Sequence, residues 1–373
     1  MEGFKAGGLR RKYGLAIILS EKKTSSALML TSNKVKAAPL IVSKENLDKG
    51  EIFGIVANSG NANCFTGEQG LKNAFRMCEL AAEKFKLKPE NFLVASTGII
   101  GKQLDMEEIE ALINEINLGE SQEYWRNSAK AIMTTDTVEK IVTRKIGKAE
   151  MVGIAKGSGM IAPRLKHATM LCFLATNAFI PQDKISEILE EAVENSFNMV
   201  NIDNDTSTND MVVLLANGKV REDYNKVQKA LNEVCVELAK AIARDGEGAT
   251  KYVEVRISGA LTREDARKAA RVIAGSNLVK TAIFGENPNF GRVIAALGYS
   301  GAEIVPEKIT LLFNDVCIVE KGKIKEENLK KARETLKEKE IFISLELNLG
   351  EEEAIAFGCD MSYDYVKINA EYN

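Results

Sequence analysis

Thr169, which stands at the head of an apolar run, is the residue whose surroundings most favour nucleophilic chemistry. The run Ala168-Thr169-Met170-Leu171 comes shortly after Pro163. A threonine inside a chain is a poor nucleophile because no base takes the proton of its hydroxyl. If the bond before Thr169 is cut, the residue gains an α-amine with an ordinary pKa of ~7.7–8.0, and this amine can serve as the base for its own hydroxyl. Taken alone, however, the residue is better explained as a plain β-strand threonine.

The histidine content narrows the choice of mechanism. His167 is the one histidine in the sequence, so a zinc site built from several imidazoles is excluded. A Ser-His-Asp or Cys-His mechanism would have to use this residue, whereas an N-terminal threonine needs no histidine. For His167 itself we expect a packing or exposed-loop role, with an influence on self-cleavage as the alternative.

Two short patterns resemble ligand-binding loops without satisfying their requirements. The segment 156–159 (KGSG) follows a predicted strand, but it matches neither G-x-x-x-x-G-K-[ST] nor G-x-G-x-x-G. The segment 203–209 begins like a calcium loop, yet its sixth position is Thr208 instead of glycine and its twelfth is Leu214 instead of glutamate. We therefore expect neither nucleotide nor metal at these places, and we interpret 203–209 as a polar turn near the active site.

The composition is that of an ordinary globular protein, with 45% hydrophobic and 28% charged residues. The 50 basic and 53 acidic residues give a formal charge of −3, which provides no excess of basic charge for nucleic acid. No apolar run is long enough to span a membrane, and the stretch 15–19 is too short for a signal peptide. The six cysteines lack C-x-x-C spacing and are expected to be reduced thiols. We expect a cytoplasmic protein without a nucleic-acid, membrane or metal partner.

The elements that must position these residues alternate between strands and helices. Apolar runs bounded by turn formers predict strands, and apolar residues at helical spacing predict helices. The predicted strands are 13–20, 53–57, 92–95, 152–155, 168–175, 252–257 and 341–347, and the predicted helices are 70–85, 106–116, 184–197, 224–244, 263–274 and 326–339. This alternation indicates a mixed α/β protein. At 373 residues the chain exceeds what one core usually supports, so we expect two domains, 1–260 and 261–373.

A series of motifs also runs through nearly the whole chain. In order they are VANSGNANC (56–64), ASTG (95–98), AIMTTDT (131–137), KGSGMIAP (156–163), ATML (168–171), DNDTSTND (203–210), DGEGATK (245–251), NPNFGR (287–292) and DYVKIN (364–369). With this many separated motifs in order, the sequence resembles the ornithine acetyltransferases, also called glutamate N-acetyltransferases.

This resemblance implies a fold and an assembly. The expected fold is α/β (α+β), with an N-terminal-nucleophile-like layered αββα core in the catalytic domain 1–260 and a smaller C-terminal α/β domain. The precursor would cut itself between Ala168 and Thr169 into an α chain, 1–168, and a β chain, 169–373. Two α and two β chains would then form a heterotetramer.

The resemblance also implies roles for individual residues. Thr169 corresponds to the nucleophile, and Thr97 and Gly98 correspond to the oxyanion hole. The latter pair makes physical sense, because a glycine corner after a strand can aim a hydroxyl and a backbone N–H at developing negative charge. Lys156 would pair with a substrate carboxylate and Glu247 with a substrate amine. The positions implied to contact the substrate are Thr134 (preferred to Thr135), Lys156, Thr169, Glu247 and Asn369.

The activity implied is ping-pong transfer of acetyl from N2-acetylornithine to glutamate, through an acetyl-threonine, in arginine biosynthesis. Some members of that family also acetylate glutamate with acetyl-CoA, and both possibilities stay open here. No cofactor is expected, and acetyl-CoA would be a co-substrate only in the bifunctional case. An N-terminal-nucleophile amidohydrolase or aminopeptidase on the same fold is the alternative, in which water takes the acyl group. A non-catalytic binding protein that is never cut is the rival from another class.

Overall fold

The computed structural model describes residues 1–162 and 170–371, which form two compact units. The first unit comprises Met1–Gly157, the described part of Pro163–Asn198, and Thr206–Leu238. The second comprises Ser158–Ala162, Met199–Asp205 and the described part of Ala239–Asn373.

Within the described ranges, the first unit contains nine named strands, five complete helices and the larger part of a sixth helix. Its strands are β1 (Phe4–Arg10), β2 (Gly14–Ser20), β3 (Ser25–Leu30), β4 (Gly54–Asn61), β5 (Phe92–Ile99), β6 (Lys140–Ile146), β7 (Ala149–Lys156), β8 (Leu171–Ala178) and β9 (Met211–Val220). Its helices are α1 (Ala38–Lys49), α2 (Gly67–Phe85), α3 (Met106–Glu115), α4 (Gln122–Ala131), α5 (Ile185–Glu194) and α6 (Tyr224–Arg244), the last of which continues into the second unit.

These elements form four layers. One sheet has the strand order β1-β2-β4-β5 and the other β3-β9-β8-β7-β6. Apolar side chains of both sheets, such as Ala57 and Phe173, share one buried cluster between them. Helices α1, α2 and α3 cover the other face of the first sheet. On the second sheet, Gly153 leaves room for Val234 and Leu238 of α6, whose side chains lie 2.8 Å from where its Cβ would be. The predicted αββα layering is therefore confirmed in this unit.

Strand β8 shows why the layering holds. It lies between β7, antiparallel to it, and β9, parallel to it, and every one of its residues is buried. A strand that is covered on both faces needs a nearly continuous apolar sequence, and Leu171–Ala178 supplies it.

The second unit is built on a six-stranded sheet with helices. The sheet order is β13-β12-β11-β14-β10-β15. Its elements are β10 (Tyr252–Ala260), α7 (Arg263–Gly275), α8 (Asn277–Phe284), α9 (Phe290–Gly298), β11 (Thr310–Phe313), β12 (Val316–Glu320), β13 (Lys323–Ile324), α10 (Leu329–Thr335), β14 (Glu340–Glu346), β15 (Glu352–Cys359) and α11 (Tyr363–Glu371).

The division between the units differs from the predicted boundary at residue 260. Strand β10 ends there, and it pairs in parallel with β14 and antiparallel with β15. A boundary after residue 260 would assign β10 and its two partner strands to different domains. The second unit instead includes the chain from Ala239, which lies inside α6. Two short segments, Ser158–Ala162 and Met199–Asp205, also belong to it, and segments brought in from elsewhere in the chain leave no local signal in the sequence.

Most predicted elements agree with the structure, and the helix predicted over 326–339 is the largest difference. The structure has a 3-10 turn at Glu326–Asn328 followed by the seven-residue helix α10, of which Ala332 is the buried residue. The charged stretch lacks the apolar stripe that extends a helix against a core.

Within residues 1–162 and 170–371, no helix is both long and apolar enough to cross a bilayer. In the same ranges, no group of three histidine, cysteine or acidic side chains is placed to hold a metal ion. The six cysteines are free thiols, and burial raises the pKa of Cys78, Cys172, Cys235 and Cys359.

Candidate active site

The end of strand β5 forms a corner at Thr97 and Gly98. Gly98 has a φ of +131°, a conformation that side chains other than glycine rarely adopt. A Cβ at this position would lie 2.4 Å from the carbonyl carbon of Gly60 and 2.5 Å from the backbone nitrogen of Asn61. The pairing of β4 with β5 is irregular at the same place. The corner therefore requires glycine both for its backbone angle and for the close approach of β4.

Lys156 is the last residue of β7, and it contacts this corner. Its ammonium group donates a hydrogen bond to the hydroxyl of Thr97, at 3.3 Å, although the two residues lie 59 positions apart in the sequence. Lys156 is only 7% exposed. A buried cation beside a hydroxyl is a suitable place for a carboxylate or a developing negative charge.

Asp136 holds the residues around Lys156 in place. Its buried carboxylate accepts hydrogen bonds from the ammonium of Lys140 at 2.8 Å, the backbone N–H of Gly157 at 2.7 Å and the backbone N–H of Thr134 at 3.0 Å. Burial alone would raise the pKa of this carboxyl group. The charges of Lys156 and Lys140, together with the hydrogen bonds, outweigh burial and lower the pKa of Asp136 to about 2.

Four of the residues singled out in the sequence are thus brought together in the first unit. Thr97 and Gly98 form the corner, Lys156 contacts Thr97, and Asp136 links the backbone at Thr134 to the residue after Lys156. This cluster joins the ends of two strands from different sheets and the loop between α4 and β6.

The other two described candidates, Glu247 and Asn369, meet in the second unit. The Glu247 carboxylate accepts a hydrogen bond of 2.8 Å from the side-chain amide of Asn369 on α11. The backbone N–H of Glu247 donates to the carbonyl of Ser158 at 2.9 Å, and the Ser158 hydroxyl donates to the Asp245 carbonyl. A Cβ on Gly159 would lie 2.2 Å from the Glu247 carboxyl carbon, so a larger residue there would displace the carboxylate.

The rest of the segment 158–162 is fixed by Asp203 and Asp205. The carboxylate of Asp203 accepts hydrogen bonds from the backbone N–H groups of Met160 at 2.6 Å and Ile161 at 2.8 Å, and the Ala162 N–H donates to the Asp205 carbonyl. Burial raises the pKa of Asp203, against the opposing effect of these hydrogen bonds. The polar turn predicted here therefore anchors the chain just before residue 163.

The predicted cleavage site, Ala168 and Thr169, lies outside the described residues, as does His167. The first described residue after it, Met170, is buried, and its carbonyl accepts a hydrogen bond of 2.8 Å from the N–H of Met211. Strand β8 begins at the next residue.

Two buried residues beside these candidates were not predicted as site residues. Asp136 is the single acidic residue of the motif AIMTTDT, and Asn209 belongs to DNDTSTND. The side-chain amide of Asn209 donates to the backbone carbonyls of Ala62 at 2.5 Å and Ser96 at 2.9 Å. Membership in a motif was the available signal, but it does not say which partners a side chain will have.

Known proteins resemble this chain over its full length. It matches the ArgJ family over residues 1–373. It is 47% identical to the glutamate N-acetyltransferase of Methanocaldococcus jannaschii over 390 aligned residues, which cover 100% of this chain and 97% of that protein. It is 46% identical to the arginine biosynthesis bifunctional protein ArgJ of Symbiobacterium thermophilum, with 97% of this chain and 92% of that protein covered. The crystal structure of the bifunctional protein ArgJ of Bacillus halodurans is similar with a TM-score of 0.51 and 40% identity, covering 52% of this chain and 96% of that one.

Proposed function

This chain belongs to the ArgJ family, and on that premise we propose that it is a glutamate N-acetyltransferase, an acyltransferase of arginine biosynthesis that moves acetyl from N2-acetylornithine to glutamate. The observation that carries the proposal is the 47% identity over the whole chain to a protein of that name. Relatives of almost equal similarity are named bifunctional, so acetyl-CoA is included in the test as a second acetyl donor.

Thr169 is the proposed nucleophile, released by self-cleavage. Its hydroxyl oxygen attacks the carbonyl carbon of Ala168, the amide bond to the Thr169 nitrogen breaks, and that nitrogen takes the hydroxyl proton. Water then hydrolyses the ester, which gives an α chain ending at Ala168 and a β chain beginning at Thr169. The motif ATML (168–171), one of those that carry the resemblance to this family, supports the assignment of Thr169.

Acetyl transfer then follows in two steps. The Thr169 oxygen bonds to the acetyl carbon while its proton moves to the α-amine, and collapse of the intermediate breaks the bond to the ornithine α-nitrogen, which takes the proton. The α-amine of glutamate attacks the resulting ester and restores the hydroxyl. Thr97 and Gly98 are proposed to donate to the oxyanion in both steps. Their support is the fixed corner that requires glycine, and removal of one such donor typically costs ~10²–10³ in rate.

The remaining candidates are proposed to bind the substrates. Lys156 would pair with a substrate carboxylate, and Thr134 would line the same cluster. Glu247 would pair with a substrate amine, held in orientation by its 2.8 Å bond from Asn369. The proposed reaction draws every group from the chain and its substrates, so it uses no cofactor. We propose the cytoplasm as its compartment, where six free thiols stay reduced.

The experiment that tests this proposal begins with the intact mass of purified protein. The wild type should give two fragments that meet at Ala168–Thr169, and Thr169→Ser should do the same because it keeps a hydroxyl. Thr169→Ala should give one uncut chain. A wild type that stays uncut after prolonged incubation would contradict the threonine mechanism and favour a non-catalytic protein.

The second part measures acetyl transfer from N2-acetylornithine to glutamate, with and without acetyl-CoA. We expect N-acetylglutamate to form only from the cut protein. Release of free acetate at the same rate with and without glutamate would indicate hydrolysis and overturn the transferase assignment. Formation of N-acetylglutamate from glutamate with acetyl-CoA as the sole acetyl donor would establish the bifunctional form.

A further inference from the structure

Strand β5 is the edge strand of its four-stranded sheet, and side chains take the place of a neighbouring strand. Alternate residues of a strand direct their N–H and C=O groups to the same side. On the outer side of β5, the amide of Asn46 donates to the Phe92 carbonyl at 2.8 Å. Two residues on, the hydroxyl of Ser43 both donates to the Val94 carbonyl and accepts from the Val94 N–H, at 2.7 Å each.

Asn209 completes this row at the end that leads to the corner. Its amide donates to the Ser96 carbonyl at 2.9 Å and to the Ala62 carbonyl at 2.5 Å. Asn209 is 5% exposed, and its own side-chain oxygen lies 2.7 Å from the Thr208 hydroxyl. Unlike Asn46 and Ser43, which lie on α1, it comes from the segment that enters β9 in the second sheet.

Asn209 lies close in the structure or the sequence to residues beside both the proposed oxyanion donors and the proposed nucleophile. Ser96, whose carbonyl it binds, directly precedes Thr97 and Gly98. Two residues after Asn209, the N–H of Met211 donates to the carbonyl of Met170 at 2.8 Å. Met170 directly follows Thr169 in the sequence. One side chain therefore ties the backbone before the oxyanion pair to the strand that pairs with the segment after the nucleophile.

We infer that Asn209 is a positioning residue for acetyl transfer, which fixes the oxyanion corner of the first sheet relative to the start of β8 in the second. The inference deepens the proposed function and rests on it. Oxyanion donors act only within ~2.7–3.1 Å of the oxygen that they stabilise, and a displacement of ~1 Å can cost ~10²-fold in rate. Without this amide, two buried carbonyl groups lose a donor, and the backbone that leads into Thr97 is no longer tied to the second sheet.

The test compares Asn209→Ala with Asn46→Ala. The two residues are matched: each is a buried asparagine whose amide donates to one carbonyl on the outer edge of β5 and to one carbonyl outside that strand. Asn46 acts at Phe92, at the opposite end of β5 from the corner. Both variants should lower Tm by a similar amount. The first readout is the rate of self-cleavage. The second is the single-turnover rate constant for acetylation by N2-acetylornithine, followed by intact mass. This rate constant does not depend on the fraction of protein that is folded.

We expect Asn209→Ala to slow acetylation by about 10- to 100-fold and to slow self-cleavage, while Asn46→Ala stays within about threefold of the wild type. Equal rate losses in the two variants, or a wild-type rate in Asn209→Ala, would overturn the inference. If Asn209→Ala does not fold, Asn209→Ser, which keeps one donor in a smaller side chain, is measured against Asn46→Ser with the same criteria. A wild type that transfers no acetyl would instead contradict the proposed function, so the two failures are distinguishable.

Discussion

Asp136 illustrates how a single buried carboxylate organises the candidate site. It satisfies the ammonium of Lys140 and two backbone N–H groups at once, and its side chain has no solvent exposure. A buried charge is tolerated only when such partners replace water. Its low pKa, about 2, records that replacement.

We predict a pH-dependent loss of stability in Asp136→Asn. Because the folded-state pKa of about 2 lies below the ordinary 3.8, ionised Asp136 stabilises the folded protein above pH 3.8, and this stabilisation is lost as the pH falls through about 2. The shift corresponds to roughly 2 kcal/mol, or about 4–8 °C in Tm at neutral pH. Tm should be measured from pH 7 to pH 2 in the uncut Thr169→Ala background.

Asp105→Asn is the control for that experiment. Asp105 caps α3 and pairs with Lys12 at the surface, and asparagine caps a helix equally well. Its Tm should fall by less than about 2 °C at every pH. A Tm difference between Asp136→Asn and its background that stays constant from pH 7 to pH 2 would show that the charge of Asp136 does not contribute to stability.

Gly98 gives a second prediction at this scale. Gly98→Ala should lower kcat for acetyl transfer by about 10²-fold or more, because its Cβ collides with the backbone of Gly60 and Asn61 and displaces the proposed oxyanion donors. Gly101→Ala is the matched control, since its φ of +86° is also positive but nothing lies within 4 Å of its Cβ position. It should retain kcat within about threefold. Equal activity of the two variants would exclude the collision as the important effect.

At the scale of elements, strand β5 extends further than its apolar run suggests. The predicted strand 92–95 continues through Ile99, because pairing with β4 and the polar donors along its outer edge hold the residues after Ala95. An apolar run predicts the ends of a strand poorly, since backbone pairing needs no apolar side chain.

Side chains of helix α1 bond the backbone groups on the outer edge of β5, where a neighbouring strand would otherwise pair. Ser43→Ala should therefore lower the stability of the fold. It leaves the buried N–H and C=O of Val94 without their shared partner, which should lower Tm by about 5 °C or more. Ser128→Ala is the control, because the Ser128 hydroxyl is also buried but donates to the carbonyl of Tyr124 within its own helix. Tm of both variants is compared in the uncut Thr169→Ala background. A smaller loss for Ser43→Ala than for Ser128→Ala would refute the edge-strand argument.

At the scale of the molecule, the order of the second sheet interleaves the two proposed fragments. In β3-β9-β8-β7-β6, strands β3, β7 and β6 precede residue 168, whereas β9 and β8 follow it. Each proposed fragment therefore carries strands whose hydrogen-bonding partners are on the other fragment.

We predict that the cut fragments stay bound until the protein unfolds. Size-exclusion chromatography with light scattering should give a single peak that contains both fragments in equal amounts, with a mass of two copies of each if the heterotetramer implied by the family resemblance forms. In denaturant the fragments should separate, since the β-ladders, the core and the side-chain contacts such as that of Asn209 with Ser96 are all noncovalent. Native separation of the fragments would contradict the interleaved sheet, and a mass of one copy of each would contradict only the tetramer.

The mixed α/β class, the positions of about half of the strands and helices, the resemblance to a family and the residues that could carry its chemistry can be predicted from the sequence, because hydrophobic periodicity and motifs are local properties of a chain. The contact of Lys156 with Thr97, the link that Asp136 makes between Lys140 and Gly157, and the passage of α6 from one unit into the other can be seen only in the folded chain. These contacts depend on strand register and on which layers face each other. Asn209 is the clearest example, since its type and motif were visible in the sequence, whereas the carbonyl groups of Ser96 in the first sheet and of Ala62 directly after its strand β4 come within its reach only when the second sheet packs against the first.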